Sequence, residues 1–86
     1  ELFPVEVWFS STAIERARRE SYLGVLEETP HGDGVLAKMR TFSLPWFARW
    51  ILSFAGDAEA REPGALRELV RRGAEEAREK HRLQTS

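Results

Sequence analysis

A chain of 86 residues is long enough for one domain and too short for two. Its net charge of −1 lacks the basic excess of an autonomous nucleic-acid-binding domain, and a chain without cysteine holds neither disulfides nor thiolate metal sites. No apolar run approaches the roughly 20 residues that span a bilayer, so we expect no membrane segment and a cytoplasmic location.

The first predicted element is a strand, because apolar residues recur at every second position from Phe3 to Ser10. Its odd positions are expected to face the core. Thr12 and Glu15 have the spacing of a capping box, which predicts a short helix that continues to about Ser21.

A β-hairpin is predicted next. Residues 22–29 and 35–42 have the composition of two strands, and the segment between them, 30–34, contains two glycines and an Asp-Gly pair. Asp-Gly pairs favour the tight turns that join antiparallel strands. The two strands are therefore expected to pair with each other directly.

The second predicted helix begins after Ser43, whose side chain can cap it. Pro45 lies in the first turn, where a missing N–H group removes no hydrogen bond. We expect the helix to end near Ala55 and Gly56, because glycine commonly terminates helices.

This second helix also carries a candidate interface. Residues 44–54 are apolar on every side, although a helix on the surface of a small domain needs only one apolar stripe. A second face is therefore expected to be covered by something outside the chain. We assign Trp46, Arg49 and Trp50 to that interface.

The last predicted elements are a short strand, Ala58–Glu62, and a helix that begins after Pro63. The apolar stripe of this helix is narrow, with residues three or four apart: Leu66, Leu69, Val70, Gly73 and Ala77. The order β-α-β-β-α-β-α predicts an α+β domain with a ferredoxin-like β-α-β-β-α-β arrangement and an extra C-terminal helix. A single domain is expected to occupy residues 1–86.

Nothing in the sequence predicts an enzyme. His31 and Asp33 lie in the hairpin turn and His81 lies near the end of the last helix, so neither histidine has the neighbours of a metal or acid–base site. No glycine-rich phosphate loop precedes a helix. The arginines of segment 16–19 predict either an anion site or a solvated helix surface. We assign no catalytic residue, no metal and no cofactor.

The outward face of the sheet is the candidate effector-binding surface. If the odd strand positions face the core, Trp8, Lys38 and Arg40 project together from the other side. One ring and two cations on that face can hold a ligand by stacking and charge pairing, as in nucleic-acid-binding sheets. The favoured alternative is that the same face docks on a sister subunit or a neighbouring domain, because exposed aromatic and aliphatic groups mark protein interfaces at least as often as ligand platforms.

Three segments of the chain carry a family resemblance: VEVWFS (5–10), WFARWILSF (46–54) and PGALRELV (63–70). Together they resemble the C-terminal extension, or WCX domain, of bacterial WYL-domain transcriptional regulators. The resemblance implies a ferredoxin-like fold in a piece of a longer chain that also carries helix-turn-helix and WYL domains. It further implies a homodimer whose effector is a nucleotide or a single nucleic-acid strand, with duplex DNA read by the helix-turn-helix domain.

The sequence departs from the family pattern at three positions. Ala55 stands where a glycine usually ends the helix, and Ala60 and Arg61 replace larger apolar residues, which predicts a loosely packed final strand. The resemblance implies a C-terminal regulatory and dimerisation module that contributes to effector-gated control of DNA binding. The alternative is a free-standing domain that binds a small molecule or single-stranded nucleic acid on its outer sheet face.

Overall fold

The computed structural model describes residues 1–85 as an α+β domain with a four-stranded antiparallel sheet and three α-helices. The predicted order of elements is confirmed. In chain order the elements are β1 (Phe3–Ser10), α1 (Ile14–Glu20), β2 (Val25–His31), β3 (Gly34–Thr41), α2 (Leu44–Leu52), a 3-10 turn (Ala55–Asp57), β4 (Ala58–Glu62) and α3 (Gly64–Thr85).

The strands lie in the order β2-β3-β1-β4, and each neighbouring pair is antiparallel. The hairpin between β2 and β3 is tighter than the sequence predicted, because its turn consists of only Gly32 and Asp33. Gly32 has a φ of +63°, which glycine adopts without steric penalty. Strand β2 consequently continues to His31. At its other end it begins only at Val25, and residues 22–24, which were predicted to be strand, form a loop.

The core lies on one face of the sheet, between the sheet and the helices. The predicted facing of β1 is confirmed for Val5, Val7 and Phe9, which are all buried. Ala37 of β3 lies directly opposite Val7 and is buried on the same face. Phe3 is 42% exposed, contrary to its predicted place in the core, because it lies at the outer end of its strand.

The capping box predicted for α1 is wrong. Ala13 occupies the N-cap position and no side chain caps the helix from there, so Thr12 lies one residue too early. Ser10, the last residue of β1, performs a related task, since its Oγ accepts a hydrogen bond from the backbone N–H of Ala13 at 3.2 Å. The Oγ1 of Thr12 is 3.1 Å from the same Ser10 oxygen.

The start of α2 is confirmed. Ser43 Oγ accepts a hydrogen bond from the backbone N–H of Trp46 at 3.2 Å, and a proline lies in the first turn. The helix ends earlier than predicted, at Leu52, and the chain then makes a 3-10 turn. Ala55, which stands where a glycine was expected, has a φ of +55°.

Helix α3 covers one apolar face of α2, which accounts for part of the apolar character of that helix, whereas Trp46 stays exposed on another face. The two helices contact each other, and a side chain at Gly73 would overlap Leu52 Cδ1. Ala48 and Ile51 are buried as a result. The stripe of α3 is shorter than predicted, because Ala77 is exposed.

Strand β4 has its predicted bounds. Its small residues Ala58 and Ala60 are buried, and both α2 and α3 contact this strand. Arg61 is partly exposed, and its Nε lies 2.9 Å from Glu59 Oε1. The alanines therefore leave room for two helices to approach the strand.

Candidate functional site

The outer face of the sheet carries Trp8, Lys38 and Arg40, as strand alternation predicted. The structure does not bring all three together. Trp8 lies opposite Leu36, whereas Arg40 lies opposite Pro4, four positions along β1. At about 3.3 Å per residue this separation is roughly 13 Å. This separation suits a strand of several nucleotides better than a small ring compound.

The Trp8 side chain is packed against the sheet. A Cβ atom at Gly34 would lie 2.6 Å from Trp8 Cζ2, so the indole ring rests directly over the glycine. The indole Nε1 donates a hydrogen bond to the carbonyl oxygen of His31 at 3.1 Å. Trp8 is consequently only partly exposed, and it covers the end of the β2–β3 hairpin.

The two cations of the outer face differ in their surroundings. Lys38 Nζ lies 3.7 Å from Glu27 Oε1 in an ion pair between exposed side chains. Arg40 is exposed and has no carboxylate within ion-pair distance in the part of the chain that the structure describes. Arg40 is therefore the cation more available to an external anion.

The interface predicted on α2 divides into separate surfaces. Trp50 is packed in a group of aromatic rings, with centroids 5.0 Å from Phe54 and 5.2 Å from Phe47. Its indole N–H donates to Glu20 Oε1 at 3.0 Å, so Trp50 connects α2 to α1. Trp46 and Arg49 remain exposed, and they line different grooves on different sides of α2.

Two arginines of α1, Arg16 and Arg18, connect this helix to other elements. Arg18 donates two hydrogen bonds to the carboxylate of Glu28, at 2.8 and 2.7 Å, which connects α1 to the edge strand β2. This contact holds the pKa of Glu28 below its ordinary value of 4.5. Because Glu28 already occupies its guanidinium, Arg18 does not form the anion site that the sequence left open.

Arg16 makes a second bridge, from α1 to the end of α2. Its guanidinium donates to Ser53 Oγ at 2.7 Å and lies 3.9 Å from the centre of the Phe54 ring. Arg16 also pairs with Glu20 at 3.0 Å. The hydrogen bond from Arg16 is the largest cause of the lowered pKa of Glu20, and the hydrogen bond from the Trp50 indole is the second.

A cavity of about 290 Å³ lies at a corner of the domain. It forms because β2 begins only opposite Met39, which leaves the last residues of β3 without a neighbouring strand on that side. The loop after α1, the end of β3 and the first half of α2 surround the space. Its lining consists of Ser21, Tyr22, Leu23, Met39, Arg40, Thr41, Phe42, Ser43, Trp46, Phe47 and Trp50.

Three aromatic rings at the mouth of this cavity are exposed, and we call them the aromatic corner. They are Tyr22, Phe42 and Trp46, with 84%, 60% and 50% of their surfaces exposed. The rings of Tyr22 and Phe42 lie 6.5 Å apart between centroids. Such exposure of three neighbouring aromatic side chains marks a binding surface more often than an inert one.

Most of the hydroxyl groups in the cavity are already paired. Thr41 Oγ1 donates to the carbonyl oxygen of Ser43 at 3.2 Å, and Ser43 Oγ caps α2. Ser21 Oγ is different, because it is buried and has no hydrogen-bond partner among the described residues. Because the Ser21 Oγ atom is buried, it does not face the cavity space, and the exposed lining is mainly apolar and aromatic.

Sequence reasoning missed this site because its residues were assigned to regular strands. Tyr22 was predicted to open a strand and Phe42 to end one, and paired strands would have left no space between them. The available signal was the four-residue spacing of Phe42 and Trp46 across the cap of α2. That spacing brings two large rings near each other only if the strand ends at Thr41.

The fold and the cavity together define a small α+β domain whose helices cover one face of an antiparallel sheet. Among the helices of residues 1–85, none combines the length and apolar character needed to cross a membrane. No cluster of three potential metal-ligating side chains occurs within that same range.

The family model of the WCX domain matches residues 1–78, which is most of the chain. The chain belongs to the WCX domain family. A search of curated proteins finds no match to this sequence.

Proposed function

We propose that this domain is the C-terminal regulatory and dimerisation module of a bacterial WYL-type transcriptional regulator. Membership in the WCX family is the observation that carries the proposal. In such a regulator, the helix-turn-helix domain reads duplex DNA, and the WYL domain responds to a nucleotide or nucleic-acid effector. Both domains belong to the same cytoplasmic chain. The domain described here contributes to effector-gated control and has no catalytic activity and no cofactor.

The fold fits this role. The element order β-α-β-β-α-β, the antiparallel order β2-β3-β1-β4 and the additional α3 support the ferredoxin-like arrangement that the resemblance implies. Helices cover one face of the sheet and leave the other face uncovered, so the domain keeps a surface for further contacts.

Self-association is the part of the proposal that the geometry supports best. The aromatic corner exposes large apolar side chains, and burial of such surface is the main favourable term in protein association. Because most homo-oligomers are closed twofold dimers, we propose that two copies pair through this corner. Trp46 would lie at its centre, since tryptophan contributes strongly to interfaces.

Sedimentation velocity over a range of concentrations tests the dimer. The parent chain is expected to show a monomer–dimer equilibrium, and Trp46→Ala is expected to shift it toward monomer. Leu26→Ala is the matched control, because Leu26 is 55% exposed, close to the 50% of Trp46, but lies on β2 outside the aromatic corner. A parent chain that stays monomeric at high concentration would show that the corner does not dimerise the domain.

The alternative function uses the outer sheet face. Trp8, Lys38 and Arg40 share a face that no helix covers, and their spacing along the strands suits an extended single strand of nucleic acid. In this case Trp8→Ala and Arg40→Ala would each weaken the effector response of the full-length regulator. Loss of one stacked base is worth about 1–3 kcal/mol. Folded variants that respond like the parent would exclude the sheet face.

A further inference from the structure

We propose that the cavity beside the aromatic corner binds an uncharged, planar aromatic molecule of one or two fused rings. The ligand is a small molecule rather than a segment of protein, because a helix is about 10–12 Å wide and a cavity of about 290 Å³ has no room for one. The claim goes beyond the proposed function and does not rest on it, since the cavity is complete within one copy of the chain.

Helix α2 turns one row of side chains toward the cavity. Trp46, Phe47 and Trp50 lie three and four positions apart, so they share one face of the helix, and all three line the cavity. Phe47 is buried, whereas Trp46 is half-exposed. The row therefore supplies an inner wall at Phe47 and one side of the mouth at Trp46.

The other walls come from β3 and from the loop after α1. Met39 and Thr41 occupy odd positions of β3, which face the helices, and both side chains are buried. Phe42 lies just beyond the strand, and its ring is 6.5 Å from the ring of Tyr22 on the loop. Both of these exposed rings line the cavity, so they stand together at its mouth.

The charge of the lining excludes an ionised ligand. Arg40 is the only charged residue among the lining residues, and its even position on β3 directs its side chain to the outer face of the sheet. An ionised group in the cavity would lose water without gaining a partner of opposite charge, which is costly. The ligand is therefore uncharged.

The serine and threonine hydroxyl groups of the lining offer a ligand little hydrogen bonding. Thr41 Oγ1 and Ser43 Oγ bond within the domain, and Ser21 Oγ is buried away from the space. A polar ligand group that exchanges its bonds to water for no partner loses free energy. The buried part of the ligand is thus a hydrocarbon-like ring system, and any polar substituent points through the mouth to solvent.

The volume and the aromatic walls determine the size and shape of the ligand. An apolar cavity of about 150 Å³ holds one benzene ring, so a cavity of about 290 Å³ accommodates one ring or two fused rings. Planar ligands contact aromatic side chains by offset stacking or edge-to-face packing, which adds to the effect of burying apolar area. A flat aromatic molecule consequently fits better than an aliphatic chain or a saturated ring.

Isothermal titration of the 86-residue chain at neutral pH tests the proposal with three probes that share a two-ring skeleton. The first, 2-naphthol, is uncharged and planar. Its relative decahydro-2-naphthol is uncharged but saturated, and 2-naphthoate is planar but anionic. We expect saturable 1:1 binding of 2-naphthol. The saturated alcohol is expected to bind about 2- to 10-fold more weakly, and the anion about 10-fold more weakly or worse.

Two variants locate the site. Tyr22→Ala and Phe42→Ala each remove an exposed ring at the mouth, so both are expected to fold and to weaken 2-naphthol binding about 2- to 10-fold. Phe3→Ala is the matched control, since Phe3 also presents an exposed ring but lies on β1 outside the lining. Its affinity for 2-naphthol is expected to equal that of the parent.

Thermal melting checks that the variants fold. The proposal is overturned by absence of saturable binding, by equal or tighter binding of the saturated alcohol or the anion, or by a loss of affinity in Phe3→Ala as large as that in Tyr22→Ala. Sedimentation in the same buffer separates this proposal from the dimer. A monomeric chain that binds 2-naphthol as described refutes the dimer and leaves the cavity ligand standing, whereas a dimer that binds no 2-naphthol refutes the cavity ligand alone.

Discussion

Gly34 is the position where one added methyl group should have the largest effect on the fold. It opens β3 opposite Ser10, the last residue of β1. A Cβ atom there would overlap the backbone carbonyl oxygen of Phe9 and lie 2.6 Å from Trp8 Cζ2, whereas real Cβ contacts essentially never fall below 3.0 Å. Gly34→Ala therefore forces either the indole or the strand to move.

The size of the stability loss depends on which atoms can move away from the added Cβ atom. The Trp8 ring can rotate, but the Phe9 carbonyl belongs to a central strand paired on both sides, so relief requires displacement of the β1–β3 pairing. Overpacking that displaces backbone typically costs about 1–3 kcal/mol. A domain of this length has a total stability of roughly 4–13 kcal/mol, so the loss would be a large fraction.

Urea unfolding followed by circular dichroism measures the difference, and Gly56→Ala is the matched control. A Cβ at Gly56 meets no described atom within 4 Å, so that variant should stay within about 0.5 kcal/mol of the parent. Gly34→Ala is expected to lower Tm by roughly 4–24 °C. Equal stability of the two variants would refute the packing of Trp8 over Gly34. The indole would then be available to contact a ligand on the outer sheet face.

Three further predictions concern the turn after α2, acid stability and DNA. Ala55→Gly should raise the unfolding free energy by up to about 1 kcal/mol, because relief of the positive φ outweighs the added freedom of glycine in the unfolded chain; an unchanged thermal melt would contradict this. Arg18 lowers the pKa of Glu28, so the pairing stabilises the folded state above the ordinary value of 4.5 and is lost as pH falls below it. The stability difference between the parent and Arg18→Gln, measured by urea unfolding, should accordingly shrink from neutral pH to about pH 3; a constant difference would contradict it. Duplex DNA at physiological salt should show no sequence-specific submicromolar binding to a chain of net charge −1, as measured by fluorescence anisotropy.

The elements that the sequence predicted well are those specified by local chemistry. The bounds of β1 and β4 follow from alternation and from a flanking proline, and the start of α2 follows from a serine cap that the structure confirms. The unusual backbone at Ala55 was also visible, because an alanine stood where a helix-ending glycine was expected. Each of these signals lies within a few residues of its effect.

The features that sequence reasoning missed depend on contacts between distant segments. The apolar character of α2 was correctly recognised, but α3 covers one of its faces, and neither helix shows from its own residues which surface it meets. The bridges from Arg16 to Ser53 and from Arg18 to Glu28 join residues 37 and 10 positions apart. A cluster of arginines in one short helix does not indicate which distant residues they bind.

Arg40 alone cannot distinguish the outer sheet face from the aromatic corner, since it projects from the sheet face and is also among the residues around the cavity. Its neighbours can, because Lys38 lies on the sheet face outside the cavity lining, whereas Trp46 lies on α2 at the aromatic corner. A ligand that depends on Arg40 and Lys38 lies across the sheet, and an association that depends on Trp46 uses the corner. Trp8 would then matter to the ligand of the sheet face only, provided that its loss does not disturb the hairpin it covers.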